Sequence, residues 1–358
     1  MIKRVSRQVP ECIAIGKRLI GPGQPCFIIA EVGVNHNGDI TLARRLIDVA
    51  ATAGADAVKF QTFQADRLVS PTAPKAEYQQ RMTGAEESQW EMLRRLELSQ
   101  PAHRELQEYA QLRHMLFLSA PFDEESADLL EALGVAAFKI PSGEITNLPF
   151  LAYLAHKGKP MIVSTGMSHL KEVETAVNTI KREGNDKIIL LHCVSSYPAA
   201  PQEVNLRAID TMAKTFELWV GFSDHTQGIE IALAAVAVGA CVIEKHLTLD
   251  RNLPGPDHRI SLEPPEFRAL VQGIRKVEAS LGHGRKEPSA SAANTARVAR
   301  KSLVAARDIP AGTPLTRELI AVKRPGTGLA PTMQLQLMGR TTRKAIPAGT
   351  LLTLEMLK

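Results

Sequence analysis

The chain has 358 residues, 44% of them hydrophobic and 23% charged, an ordinary globular composition with enough apolar matter for one large core and a smaller one. Its 43 Lys and Arg against 38 Asp and Glu leave a formal charge of +5 with no dense basic run, and aromatics make up only 4%. That balance argues against nucleic acid as a partner, since few rings are available to stack on bases, and it is compatible with a small anionic substrate.

The N-terminal MIKRVSRQVPECIAIG has basic residues but no apolar core, so no secretory leader is expected. The longest apolar stretch, IEIALAAVAVGACVI, is too short and interrupted to span a bilayer, so no membrane partner is expected either and a cytoplasmic location follows. Cys12, Cys26, Cys193 and Cys241 show no metal-type spacing and read as reduced thiols, Cys193 and Cys241 within apolar strand-like runs.

ECIAIGKRLIG reads as a short hairpin. From residue 27 to about residue 249 the chain then alternates β-branched runs with helix-period segments. The runs are FIIAEV, AVKFQTF, LFLSAPF, AAFKIPSG, PMIVSTG, KIILLHCV, ELWVGFSD and CVIEKHLTL, and intervals such as LARRLIDVAATAG and LKEVETAVNTIKREG read as helices. Near-continuous apolar runs indicate strands covered on both faces. Eight such units predict a (β/α)8 TIM barrel, with a doubly wound open sheet as the rival and the hairpin as a cap on the barrel bottom. About fifty residues separate AVKFQTF from LFLSAPF, an insertion long enough to form a binding loop. The barrel domain is expected over residues 1–281 and a linker, GHGRKEPSASAANTA, over 282–296. A small β-rich module follows over 297–358, in which SLVAARDIPAGTPLT and RTTRKAIPAGTLLT form a pseudo-repeat. Its core is marginal alone, so it is expected to dock on another surface.

In a barrel every strand ends at the active-site face, which gathers Glu31, Lys59, Gln61, Lys139, Ser142, Glu144, Ser164, Thr165, His192, Ser223, Asp224, His225, Glu244 and His246. Lys59 and Lys139 with nearby hydroxyls make a cradle for phosphate or carboxylate. His225 and His246 end consecutive strands, and two imidazoles there suit a divalent metal with open coordination positions. Each has a plainer reading as a hydrogen-bonded core histidine. His36 and His258 are weaker candidates, NHNG also reading as a turn around Gly38. Glu144 has the alternative of a helix N-terminal carboxylate, PGPD of a rigid turn, and Tyr197 of strand-end packing.

At AEVGVNHNGD, VKFQTF, FKIPSGEITNLP, STGM, LHCVSSYP, GFSDHT, IEKHLTLD, PGPDH and KRPGTG the chain resembles the sialic acid synthase family, in order and over essentially its whole length. That resemblance implies condensation of phosphoenolpyruvate with an N-acylated mannosamine-type sugar to a nine-carbon 2-keto acid and phosphate. It implies a TIM barrel followed by an antifreeze-like SAF domain, and a domain-swapped homodimer. Carried over, His225 and His246 would bind Mn2+ or Mg2+, and Lys59, Lys139, Ser142, Ser164 and Ser223 would hold phosphoenolpyruvate. Glu31 would assist at the reacting carbons and Glu144 would orient water at the metal. Gln61, Tyr197 and Asp257 would touch the sugar, and Arg324 would reach its acyl group from the partner subunit, an exposed basic turn being the plainer reading of Arg324. The insertion resembles the N-acetylneuraminate and legionaminate branches more than the pseudaminate branch. The expected activity is N-acetylneuraminate synthase, with N,N'-diacetyllegionaminate synthase as the alternative. A keto-acid aldolase using Lys139 as a Schiff base is the enzymatic rival.

Overall fold

The computed structural model describes residues 12–84 and 86–358, so the N-terminal MIKRVSRQVPE, part of the segment from which no leader is expected, lies outside the described residues. The chain divides into two compact units between residues 282 and 283.

The first unit opens with the expected hairpin, β1 (Ile13–Ile15) antiparallel to β2 (Arg18–Ile20). Eight parallel strands follow: β3 (Phe27–Gly33), β4 (Ala57–Thr62), β5 (Leu116–Pro121), β6 (Phe138–Ile140), β7 (Met161–Ser164), β8 (Ile188–Cys193), β9 (Trp219–Asp224) and β10 (Val242–His246). Hydrogen bonding runs β5-β4-β3-β10-β9-β8-β7-β6, and β5 and β6 are themselves in contact, which brings the ring round to a TIM barrel. Helices cover the outside, among them Ile40–Ala53, Gln100–Leu112, Leu170–Arg182 and Pro264–Leu281. Local chemistry sets their ends: Asp39 accepts the Thr41 N–H at 2.7 Å to start Ile40–Ala53, and Gly54 at φ 87° stops it.

Strand periodicity explains why the mouth is polar. Outward positions such as Ile28, Ala30, Val58, Phe138, Val163 and Phe222 pack under the helices in one large cluster. Inward positions at the N-terminal end, Phe27, Ile29, Ala57, Leu118, Ile162, Ile189 and Val242, form a second cluster with Ile15 and Ile20 of the hairpin. One or two inward steps further along the same strands stand Glu31, Lys59, Lys139, Ser164, Cys193, Ser223, Glu244 and His246, where the chain changes from filling the barrel to lining its mouth.

The second unit pairs β11 (Ser302–Ala305) antiparallel with β12 (Ile320–Lys323) over a core that includes Leu303, Ile309, Leu319, Leu337, Ile346 and Leu352. The two IPAGT turns of the pseudo-repeat bond to each other, Ile309 N–H to Ile346 C=O at 2.9 Å and the reverse at 2.8 Å. The segment read as a linker runs into a helix, Ala290–Ala299, capped by the Ser289 hydroxyl and ending past the expected linker bound. Its alanines favour a helix more strongly than its small polar residues favour coil. No helix among the described residues is long and apolar enough to cross a membrane.

Candidate active site

Register carries the site. Glu31 stands opposite His246 on one side and Lys59 on the other, and Glu244 stands opposite Ser223, so four strands deliver their side chains at one level. They surround a cavity of about 430 Å³ at the C-terminal mouth. Eleven of the thirteen expected site residues line it: Glu31, Lys59, Gln61, Lys139, Ser142, Ser164, Tyr197, Ser223, His225, His246 and Asp257.

Its deep end is an ionic cluster organised by Glu244, which the sequence placed at a strand end without giving it a role. Ser223 donates to Glu244 Oε1 at 2.9 Å, Lys139 Nζ lies 3.3 Å from the same oxygen, and Lys59 Nζ lies 3.6 Å from Oε2. Lys139 also donates to Ser164 Oγ at 2.8 Å. Burial opposes a charge on Glu244, but Lys139, Lys59 and Ser223 together outweigh it and bring the carboxyl down to about 2. Burial brings Lys59 down to about 7 against the pull of Glu244, with Lys139 adding repulsion. Lys59 Nζ also lies 2.5 Å from Glu31 Oε2, yet neither Glu31 oxygen has a well-aligned hydrogen bond. Gly33, at φ 55°, leaves that carboxylate its space, since a Cβ there would stand 2.7 Å from Glu31 Oε1.

Beside the lysines is a hydroxyl cradle. Ser142, in the turn Ser142–Glu144 that follows β6, accepts the Gly166 N–H at 3.0 Å and lies 3.0 Å from Cys193 Sγ. Ser195 Oγ is buried there with no hydrogen-bond partner.

The imidazoles sit opposite, with ring centroids 5.5 Å apart. His225 Nδ1 is 2.7 Å from the Val194 carbonyl, which can only accept, so Nδ1 carries the proton and Nε2 keeps its lone pair. Burial brings His225 down to about 4 and pushes His246 well below the usual range, so both rings are neutral at pH 7. His246 Nδ1 is buried with no hydrogen-bond partner. Two neutral rings, one tautomer fixed and one nitrogen orphaned, fit a borderline divalent ion. No third His, Cys, Asp or Glu completes a ligand group with them among the described residues, so these two rings are the ligands the protein would offer such an ion.

Tyr197 packs against His225 with the rings tilted by 36° and their centroids 4.3 Å apart, and Tyr78, from the insertion, stacks on Tyr197 at 4.7 Å. Asp257 is buried nearby, and that burial raises its carboxyl to about 6 against the pull of Lys59. Tyr78 escaped the sequence reading because only tertiary folding brings its short helix to the barrel mouth.

Other expected residues stand elsewhere. Glu144 does not line the cavity; its Oε2 accepts from Asn147 Nδ2 at 2.8 Å. Arg324 belongs to the second unit, where it is exposed and donates from Nε to the Ala299 carbonyl at 3.1 Å. Asp224 points outward to a buried ion pair with Lys245 at 2.7 Å, and His192 is bonded to the Val204 carbonyl at 2.6 Å. NHNG forms the turn, with Asn37 and Gly38 both at positive φ, and His258 sits between Thr248 and Asn37.

A barrel whose mouth combines a buried lysine–serine cradle with a pair of ligand-ready imidazoles defines an enzyme acting on an anionic substrate. Residues 46–286 match the NeuB family and residues 300–358 the SAF domain, and the chain belongs to the NeuB family. It is 50% identical over 323 residues to an N,N'-diacetyllegionaminic acid synthase of Legionella pneumophila, covering 89% of this chain and 91% of that one. It is 40% identical over 309 residues to the N-acetylneuraminate-9-phosphate synthase of Homo sapiens, covering 86% and 85%. A solved N-acetylneuraminic acid synthetase of Leptospira borgpetersenii superposes with a TM-score of 0.71 at 39% identity, covering 81% of this chain and 96% of that one.

Proposed function

We propose that the chain is a phosphoenolpyruvate-dependent synthase of a nine-carbon 2-keto acid, with 2,4-diacetamido-2,4,6-trideoxymannose as acceptor rather than N-acetylmannosamine. One observation supports the activity above all: Lys59, Lys139, Ser164 and Ser223 share a cavity with His225 and His246. Supporting the acceptor is the 50% identity to a diacetyllegionaminic acid synthase against 40% to the N-acetylneuraminate-type enzyme.

Lys59 and Lys139, with Ser142, Ser164 and Ser223, hold the phosphate and carboxylate of phosphoenolpyruvate. Because these groups are fixed before substrate arrives, they stabilise charge without reorganising. The residues that would hold Mn2+ or Mg2+ are His225 and His246, and the ion would polarise the acceptor aldehyde as a Lewis acid. The methylene carbon of phosphoenolpyruvate bonds to the aldehyde carbon, whose oxygen takes a proton. Water adds to the neighbouring carbon, and the resulting tetrahedral centre expels phosphate, closing to the ketone as its hydroxyl proton leaves with the phosphate. Glu31, in register between Lys59 and His246, with Oε2 against the Lys59 ammonium and Oε1 without a hydrogen-bond partner, takes one proton of that water and gives it to the aldehyde oxygen. Gln61, Tyr197 and Asp257 contact the sugar.

The proposal extends to a cytoplasmic homodimer in which each C-terminal unit supplies Arg324 to the acyl group of the sugar bound by its partner. The exposure of Arg324 on its own unit supports that assignment.

The test is phosphate release from phosphoenolpyruvate with Mn2+, comparing the two acceptors. The expected kcat/KM favours the diacetamido sugar by at least about tenfold, the scale one apolar or hydroxyl substituent provides. The reverse preference would make this an N-acetylneuraminate synthase. Release with neither sugar on folded, metal-loaded protein would refute the activity.

A further inference from the structure

Strand alternation turns Ser223 and His225 into the cavity and Asp224 away from it, and on the next strand it turns Glu244 and His246 in and Lys245 away. Asp224 and Lys245 stand opposite each other in the register, each one residue before an imidazole. Both side chains are 0% exposed. Lys245 Nζ donates to Asp224 Oδ2 at 2.7 Å and to the Thr226 carbonyl at 2.5 Å. The other carboxylate oxygen, Asp224 Oδ1, accepts the Thr226 N–H at 2.8 Å and the Thr226 hydroxyl at 2.7 Å. A closed ring of bonds therefore ties the residues on either side of His225 to the residue before His246.

Asp224, Thr226 and Lys245 are not among the residues lining the cavity, so the ring does not work by touching substrate. Nor is it an efficient source of stability, because two charges taken out of water regain in attraction little more than they lose in hydration. Such pairs are best attested as devices that fix a register. What stands to be fixed here is a pair of rings. His225 is held by its Nδ1 on the Val194 carbonyl at 2.7 Å and by its own carbonyl, which accepts the Ala199 N–H at 3.0 Å. His246 Nδ1 has no hydrogen-bond partner, so that ring takes its aim from the strand, and Lys245 anchors the strand to the turn around His225.

We propose that Asp224, Lys245 and Thr226 are positioning residues, which hold the His225 and His246 rings at the spacing a divalent cation requires. The inference rests on the metal reading above and extends it to three residues outside the cavity. With two imidazoles as the ligands offered among the described residues, affinity depends on their mutual placement, since no further carboxylate or thiolate compensates a drift in either ring. The residue types fit the task. A carboxylate accepts on two oxygens, one facing the turn and one facing the lysine, whereas an amide has a single acceptor and could serve only one of them. An ammonium on a long stem has three N–H groups, enough to reach the carboxylate and the Thr226 carbonyl together.

The test is Mn2+ affinity by calorimetry on the full chain, with thermal unfolding and phosphate release on the same preparations. Two variants are compared with the parent. Asp224→Asn combined with Lys245→Met removes both charges with side chains of nearly the same size, so neither charge is left buried alone; the asparagine keeps an acceptor for the turn while the link to the next strand is cut. Thr226→Val keeps the ion pair and removes one bond to Oδ1. The double variant should raise the Kd for Mn2+ about 10- to 100-fold, lower the melting temperature by no more than about 5 °C, and leave the KM for phosphoenolpyruvate within about threefold. Thr226→Val should raise the Kd about threefold. Saturating Mn2+ should return kcat in both to within about twofold of the parent, a rescue that a merely structural defect would not show. Folded variants that bind Mn2+ as tightly as the parent would overturn the inference and leave the metal reading intact. Should the double variant fail to fold, Thr226→Val decides on the same terms. A folded parent chain that binds no Mn2+ would overturn the metal reading and this inference with it.

Discussion

Gly166→Ala tests the cradle by a single methyl group. The backbone at Gly166 is not left-handed, so alanine meets no conformational penalty and only the space around its Cβ matters. That Cβ would stand 2.8 Å from both Cys193 Sγ and Ser142 Oγ, and closer still to Ser195 Oγ, inside van der Waals contact with all three. Ser142 loses most, because its hydroxyl is fixed by the Gly166 N–H and by Cys193, while Ser195 has no hydrogen bond to break. Forcing a methyl group into packed space costs ~1–3 kcal/mol. Here the displaced hydroxyls can rotate into the open cavity, so the fold bears the lower end of that range and the geometry of the cradle bears the rest. The expected result is a rise in KM for phosphoenolpyruvate of roughly 10- to 100-fold, with the acceptor KM changed less than about threefold and the melting temperature lowered by about 2 °C. Steady-state phosphate release and thermal unfolding on the same preparation measure all three. A phosphoenolpyruvate KM within about twofold of the parent would refute the placement of that substrate on Ser142 and its neighbours.

Three further outcomes follow from charge and ligation. Lys59 titrates at about 7 in the free enzyme, cationic below and neutral above, so kcat/KM for phosphoenolpyruvate should fall as pH rises through about 7. Asp257 titrates at about 6, so kcat/KM for the acceptor should fall as pH drops through about 6, and Asp257→Asn should remove that limb; a flat profile in both would show that neither charge contacts substrate. Chelation with EDTA should abolish turnover and Mn2+ should restore it, while His246→Ala should weaken Mn2+ binding by calorimetry at least about tenfold. Full activity in EDTA, together with borohydride trapping of a keto acid on Lys139, would move the chain to the aldolase class.

The barrel was legible because its strands are covered on both faces and read as apolar runs. The exception, AAFKIPSG, yields only Phe138–Ile140, since Pro141 has no N–H to continue the ladder and Ser142 starts a turn. Lys59, Lys139, His225 and His246 were legible because a polar residue at the end of an apolar run has few places to go except the mouth. Glu244 carried a usable signal: it lies two residues before His246, and the period of two puts both inside and Lys245 outside. Tyr78 carried none, because what aims it is the packing of a short helix, Glu77–Thr83, that periodicity does not reveal. The segment over 282–296 was read as a linker from its small, polar and basic composition, which hid the helix its alanines form from Ala290.

The hairpin gives the barrel a closed floor. Ile15 and Ile20 are buried in the apolar layer below Lys59 and Lys139, which closes that end of the barrel among the described residues. Under the proposed placement the reactants would share the mouth and form a queue: phosphoenolpyruvate, destined for the buried lysines, would be seated before the sugar, and phosphate would wait behind the nine-carbon product. A plug of two isoleucines at one end of the molecule would thereby set the order of events at the other.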